Sequence, residues 1–229
     1  MTIARKWLSP FLSVCLLLLG IPGPPLAVLA AGHQDGAVAF SGQATAVRAT
    51  VLGTTIIVSD TGALPSSGGA QQASLLSASV PGLLTADVLH ATTIGQGDRS
   101  RSEASTADLN LTVGGDSISA SLLMARAMAV CTSTGPAVSG SSQIFGLVIN
   151  GQVIAVSGQP NQTITLPDGQ VILNEQQSST GGHTGEITVN ALHVVVTGIA
   201  DVVISSAHAD VTCAGKPSCT GSDFVTGGG

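Results

Sequence analysis

Apolar and polar positions alternate with a period of two along most of this chain, and no segment carries the three-to-four spacing of an amphipathic helix. The alternating runs are punctuated by Gly, Asn-Gly and Asp-Gly. "QIFGLVINGQVIAVSG" reads as two strands around a hairpin turn at Asn150-Gly151, and "TITLPDGQVIL" repeats the device at Asp168-Gly169. The pattern predicts strands near 37–50, 54–60, 73–80, 83–93, 102–113, 117–131, 142–149, 152–157, 162–166, 170–175, 186–197 and 202–212. Many short strands without helices between them predict an all-β fold, an antiparallel β-sandwich-like single domain. No short repeat is present that would build a β-solenoid instead.

A long repeat is present. "SGQATAVRATVLGTTIIVSD" from Ser41 and "SGSSQIFGLVINGQVIAVSG" from Ser139 align without gaps at an offset of 98 residues. Leu64-Pro65 then meets Leu166-Pro167, "TADVLH" from Thr85 meets "TVNALH" from Thr188, and "ARAMAVC" ending at Cys131 resembles "AHADVTC" ending at Cys213. The matches keep their order. They read as a duplication with halves 38–131 and 136–213, folded together as one pseudo-symmetric domain.

The two ends differ from the middle. Arg5 and Lys6 precede an apolar run from Trp7 to Leu19, "PGPP" breaks it, and Val28-Leu29-Ala30 offers small residues for cleavage. This predicts a secretory signal peptide over 1–30, cut after Ala30 or Ala31, rather than a retained membrane anchor. Cys15 sits among leucines without the small residue before it that a lipoprotein site needs. A short lead at 31–36 then opens a β domain over 37–213. Residues 214–229 are rich in Gly, Ser and Pro and read as a linker or the start of a following module.

Removing Arg5 and Lys6 leaves 5 basic against 13 acidic side chains, a net charge of −8. Such a chain has no basic footprint for nucleic acid and is repelled by anionic lipid. It has no Tyr, and its one Trp lies in the leader, so flat aromatic platforms for sugars are scarce. Low charge with high hydrophobicity is the reverse of a disordered composition.

Candidate chemistry is concentrated in "GEITVNALHVVVTGIADVVISSAHADVTC", residues 185–213. Strict alternation places Ile187, Val189, Ala191, His193 and Val195 on one apolar face, with His90 as the counterpart of His193 in the first half. It places His208 on the other face, with Ser206, Asp210 and Thr212. The histidines then need not converge, and a tight metal site wants three or four converging ligands. "GGDSIS" from Gly114 resembles the Gly-Asp-Ser start of some esterases, yet sits between two alternating runs and reads as a turn, which argues against a nucleophilic Ser117. Glu175 has no second carboxylate placed beside it for glycosidase chemistry. The expectation is therefore no catalytic residue, no cofactor and no metal.

After cleavage Cys131, Cys213 and Cys219 remain, in a compartment where disulfides form. Ala125, Ala127, Ala129 and Cys131 share one face, as do Ala207, Ala209, Val211 and Cys213. Cysteines at matching points of a duplicated unit, each closing a small-residue face, predict a Cys131–Cys213 bridge. The rival is Cys213–Cys219, closing the short loop "CAGKPSC".

"PNQTITLPDGQVILNEQ", "GEITVNALHVVV", "ADVVISSAHADVTC" and the terminal "DFVTGGG" together resemble the choice-of-anchor P family of bacterial exported proteins. The resemblance spans about 38–213 and brings no catalytic residues with it. It implies an exported protein; with no catalytic motif found, the expectation is a secreted or cell-surface structural or interaction module without catalysis, whose partner is an unknown extracellular protein or cell-envelope component. No nucleic acid and no integral membrane segment after cleavage are expected. The alternatives are a loop-based binder of an extracellular glycan or small ligand, and a hydrolase with an unfamiliar site around His193, His208 and Glu175.

Overall fold

The computed structural model describes residues 37–215. The predicted signal peptide, the lead at 31–36, Cys219 and nearly all of the expected linker lie outside them. The described chain forms thirteen strands: β1 (Ala39–Val51), β2 (Thr54–Asp60), β3 (Gly69–Val80), β4 (Leu84–Gln96), β5 (Arg99–Val113), β6 (Asp116–Thr132), β7 (Gly135–Phe145), β8 (Val148–Ile149), β9 (Gln152–Val153), β10 (Gln162–Leu166), β11 (Gly169–Gly181), β12 (Thr184–Val196) and β13 (Ala200–Thr212). Two antiparallel sheets pack face to face. One runs β10-β11-β12-β13-β1-β2. The other runs β3-β4-β5-β6-β8-β9, with β7 also paired to β6.

The expected sandwich is the observed fold, and its topology is symmetric in outline. The first half of the chain gives two strands to the first sheet and then four to the second. The second half gives β7, β8 and β9 to the second sheet and then four to the first. In this arrangement β6 and β13 are equivalent, as are β5 and β12. His90 lies on β4, whose equivalent is β11, so it does not correspond to His193 on β12. The first half contains Thr-Ala-Asp twice, at Thr85 and Thr106. It is the second copy, on β5, that occupies the place equivalent to β12.

Local sequence explains the differences from the predicted strands. The expected strand 142–149 divides at Gly146, which has φ +64 and no room for a Cβ beside Ser121. Asn150-Gly151 forms its hairpin as expected, with φ positive at both residues (51 and 77). The second hairpin turns one residue earlier than expected. Leu166 pairs with Gly169, so Pro167 and Asp168 make the turn and Gly169 opens β11. Proline's fixed φ suits the first turn position.

Alternation is broken once along a line across each sheet. In the first sheet Leu173 and Asn174, Ala191 and Leu192, Ile204 and Ser205, and Ala46 and Val47 are consecutive buried pairs. Asn174 and Ser205 adopt positive φ there (49 and 55). In the second sheet the inward set steps by three, from Ala86 to Leu89, Thr106 to Leu109 and Ala120 to Leu123, with positive φ at Val88 and Asp108 (48 and 45). Backbone of this kind is unfavourable for non-glycine residues and persists only where packing holds it. The crease reverses which residues face in beyond it.

The crease also divides the interior. On one side Leu109, Leu111, Ile118, Leu173, Leu192 and Val194 fill a conventional apolar core. On the other side small residues are frequent: Ala44, Ala91 and Ala104 form a separate cluster, while Ala125, Ala127, Ala207 and Ala209 belong to the main one beside Ile187, Val189 and Val211. Here the sheets are close enough for side-chain hydroxyls to bond across the interior. Ser100 Oγ donates to Ser41 O at 2.7 Å, and Ser102 Oγ to His208 O at 2.6 Å. At the crease Thr106 Oγ1 donates to Ala46 O at 3.3 Å, and Ser205 Oγ lies 3.1 Å from both Thr106 Oγ1 and Leu123 O. These hydroxyls are buried and satisfied, so burial costs them little. Beyond this small-residue end Cys131 and Cys213 are joined, with Cα atoms 5.5 Å apart. The bridge ties β6 to the residue after β13, as the face argument predicted.

Candidate functional site

The polar residues of 185–213 meet on the outer face of the first sheet. Beyond the crease β12 turns Leu192, Val194 and Val196 inward, so His193 points outward, not onto the apolar face that strict alternation assigns it. His208 also faces outward, so both histidines lie on one face. They do not meet: Asn190 and Ser206 occupy the row between them. His208 Nδ1 instead bonds Thr188 Oγ1 at 2.9 Å.

His193 is held by two carboxylates. Its Nδ1 lies 2.9 Å from Glu175 Oε2 on β11, and its Nε2 lies 3.2 Å from Asp201 Oδ1 on β13. Asn190 Nδ2 donates to the same Glu175 oxygen at 2.6 Å. Glu175 reaches this row because Asn174, with its positive φ, turns inward and bonds Gly158 O, leaving its neighbour on the outer face. Asp210, the other candidate carboxylate, is one row beyond His208, opposite Glu186. Burial, opposed by His208 and assisted by Glu186, raises its carboxyl above its ordinary value.

The electrostatics are those of an ion-pair network, half-buried at Glu175 and His193 and open to solvent at Asp201. The hydrogen bond from His193 lowers the Glu175 carboxyl below its ordinary value, against the effect of burial. The same bond, with Asp201 assisting, raises the His193 imidazole. A carboxylate at each ring nitrogen shifts the ring toward its protonated form. Both ring nitrogens are engaged by carboxylates, and no Ser, Thr or Cys side chain bonds to the ring. Asn190 Oδ1 is buried without a partner, which ties the amide to Glu175 through its nitrogen alone.

The pair fixes a pH dependence. Its stabilisation is complete between the ordinary values, 4.5 for the carboxyl and 6.5 for the imidazole. Above 6.5 the unfolded imidazole has lost its proton, and the advantage falls until the folded ring releases its own at the raised value. Below 4.5 the advantage falls until Glu175 protonates at its lowered value. His193→Gln should therefore lose on the order of 1–3 kcal/mol near pH 6 and show a flatter decline above it. Denaturant unfolding across roughly pH 5 to 9 checks this. An unchanged alkaline limb in the variant would show that another group sets it.

Asp201 is the member that sequence reasoning missed. Counting outward from the turn at Thr197-Gly198-Ile199 places it opposite Val195 and diagonal to His193, within reach of a long side chain. The other candidates stay apart. Ser117 is exposed beside a two-glycine turn, and Asp116 is buried and bonded to Asn150 Nδ2 at 2.7 Å. A surface hollow of about 840 Å3 lies at the Pro167 turn, lined by Asp168, Gln170 and Val195 and not by Glu175 or His193. Among the described residues no group of three or more His, Cys, Asp or Glu is placed to hold a metal ion, and no helix is long and apolar enough to cross a membrane.

Set against family models, curated proteins and solved structures, the chain matches none of them.

Proposed function

We propose that this chain is an exported structural or interaction module that performs no catalysis and works outside the cell or at its surface. The observation that carries the reading is the Glu175–His193–Asp201 network. It brings two of the expected candidates, Glu175 and His193, together with Asp201, and its histidine is bonded at both nitrogens with no nucleophile attached. The small-residue interior, with hydroxyls bonded from sheet to sheet, supports a rigid scaffold. The leader and the resemblance to choice-of-anchor P proteins support export. The partner in this reading is an extracellular protein or cell-envelope component.

The test uses protein recovered from culture fluid. N-terminal sequencing is expected to find Ala31 or Gly32. Ester, glycoside and peptide substrates are expected to show no turnover that His193→Gln abolishes, and zinc or calcium no stabilisation that it removes. Turnover or metal stabilisation lost in that variant would overturn the non-catalytic reading, and an intact Met1 in membranes would overturn export.

A further inference from the structure

The edges of the two sheets are unequal. β10 has five residues and lies between Pro160 and Pro167. β2 has seven, ends on Asp60 and is interrupted at Ser59 by a positive φ of 54. β9 has two residues, and β7 begins Gly135-Pro136 and carries Gly140. Short length, proline, charge and irregular backbone are the devices that keep edges from pairing. β3 has none of them within its length after Gly69; Pro81 follows its last residue. It runs for 12 residues at the end of its sheet, has no charged side chain and no proline, and has no positive φ after Gly69. Leu75 and Leu76, at its middle, are 46% and 85% exposed.

The order of residues along β3 says what fits there. Leu75 pairs with Leu89 and Ala78 with Ala86, both inward residues of β4, so the crease falls at Leu76-Ser77. An antiparallel copy of the same strand, centred on that crease, sets Ala73 opposite Val80, Ser74 opposite Ser79, Leu75 opposite Ala78 and Leu76 opposite Ser77. Directly opposed residues of an antiparallel pair share a face. This register alone puts Ala73, Leu75, Ala78 and Val80 of both strands on the inward face, and it opposes no charges. A strand of different sequence would have to reproduce the same crease.

We propose that β3 is a self-pairing edge: two copies of this chain join antiparallel through Ala73–Val80 about a two-fold axis at Leu76-Ser77, making one continuous sheet across a dimer. The contact is isologous, so it closes at two subunits.

The proposal is independent of the export reading and is tested on the processed protein. Sedimentation velocity over a rising concentration series should show a monomer–dimer equilibrium. Hydrogen exchange should find the amides from Ala73 to Val80 slow as a block in the dimer, where an open edge leaves alternate amides fast. The L76K/S77K double substitution places four lysines around the axis. It should give a monomer whose circular dichroism matches the parent, because both side chains are exposed. Phe145→Lys, at an exposed site on β7, should leave the dimer intact. A monomer at every concentration would overturn the proposal, as would a dimer that survives L76K/S77K or one that leaves alternate β3 amides fast.

Discussion

Cys131→Ala/Cys213→Ala protein is expected to lose roughly 2–5 kcal/mol of stability relative to the parent. The bridge spans 82 residues of sequence, so it removes a large loop from the unfolded ensemble. In the chain-entropy account that loop alone is worth roughly 4 kcal/mol. The structure adds a reason specific to this fold. The cysteines close the half of the interior where Ala125, Ala127, Ala207 and Ala209, each burying little apolar area, stand among the larger Ile187, Val189 and Val211. The leucine-rich half can hold its sheets by burial; the other half, with many alanines, relies more on the bridge and on the hydroxyls of Ser100 and Ser102. Unfolding should therefore begin at the bridged end once the cysteines are gone, with amides of β13 near Ala209 and of β6 near Ala129 exchanging first. Denaturant melts and hydrogen exchange on the double variant decide it. An equal loss of protection at Leu109 and Leu192 would refute the unequal division of the interior, and a stability change near zero would refute the role of the bridge.

Legibility differed between the two levels of structure. Strand positions were readable because alternation and glycine punctuation are local signals, and the bridge was readable because small residues on one parity mark where sheets approach. The crease was not. Asn174, Ser205, Val88 and Asp108 take positive φ without being glycine, and nothing in their immediate sequence marks them as breaks. A single unrecognised break reverses every later side chain on the strand. That is why alternation carried forward from Ile187 assigned His193 to the core, while the same counting backward from Thr212 placed His208 correctly. Glu175 follows Asn174, so its meeting with His193 on the outer face depends on the same unmarked break. Asp201 needed a hairpin register rather than a residue type. The repeat showed the opposite failing: a narrow composition supplied two Thr-Ala-Asp segments, and the one ending in His90 was the wrong partner.

Gly42→Val is expected to be among the most damaging single substitutions in the domain. Gly42 lies on β1 opposite Ala209 of β13, on the inward face of the small-residue half. A Cβ added there would stand 2.5 Å from Thr93 Oγ1, 3.1 Å from Ser100 Oγ and 3.2 Å from Ser102 Oγ. None of these can withdraw at little cost. Thr93 and Ser102 bond each other at 2.8 Å in a fully buried position, Ser102 also bonds His208 O, and Ser100 bonds Ser41 O. Making room for the side chain means separating the sheets or breaking these bonds and leaving buried hydroxyls unpaired. Overpacking costs roughly 1–3 kcal/mol and each orphaned buried polar group a further 1–3 kcal/mol or so, giving a loss of roughly 3–5 kcal/mol. The second-site change Thr93→Ala removes the nearest obstacle and one partner of the Thr93–Ser102 bond. It should recover part of the loss in Gly42→Val while mildly destabilising the parent, which is coupling of opposite sign on the two backgrounds. Gly53→Val is the control: Gly53 sits in the open β1–β2 turn at φ +81 with nothing within 4 Å of its added Cβ, so any cost there reflects backbone strain and Thr93→Ala should not relieve it. Thermal melts of the four Gly42/Thr93 combinations and of Gly53→Val with and without Thr93→Ala give the answer. Additive effects at Gly42 would mean that the sheets separate freely there, and the close approach would not be what shapes this half of the interior.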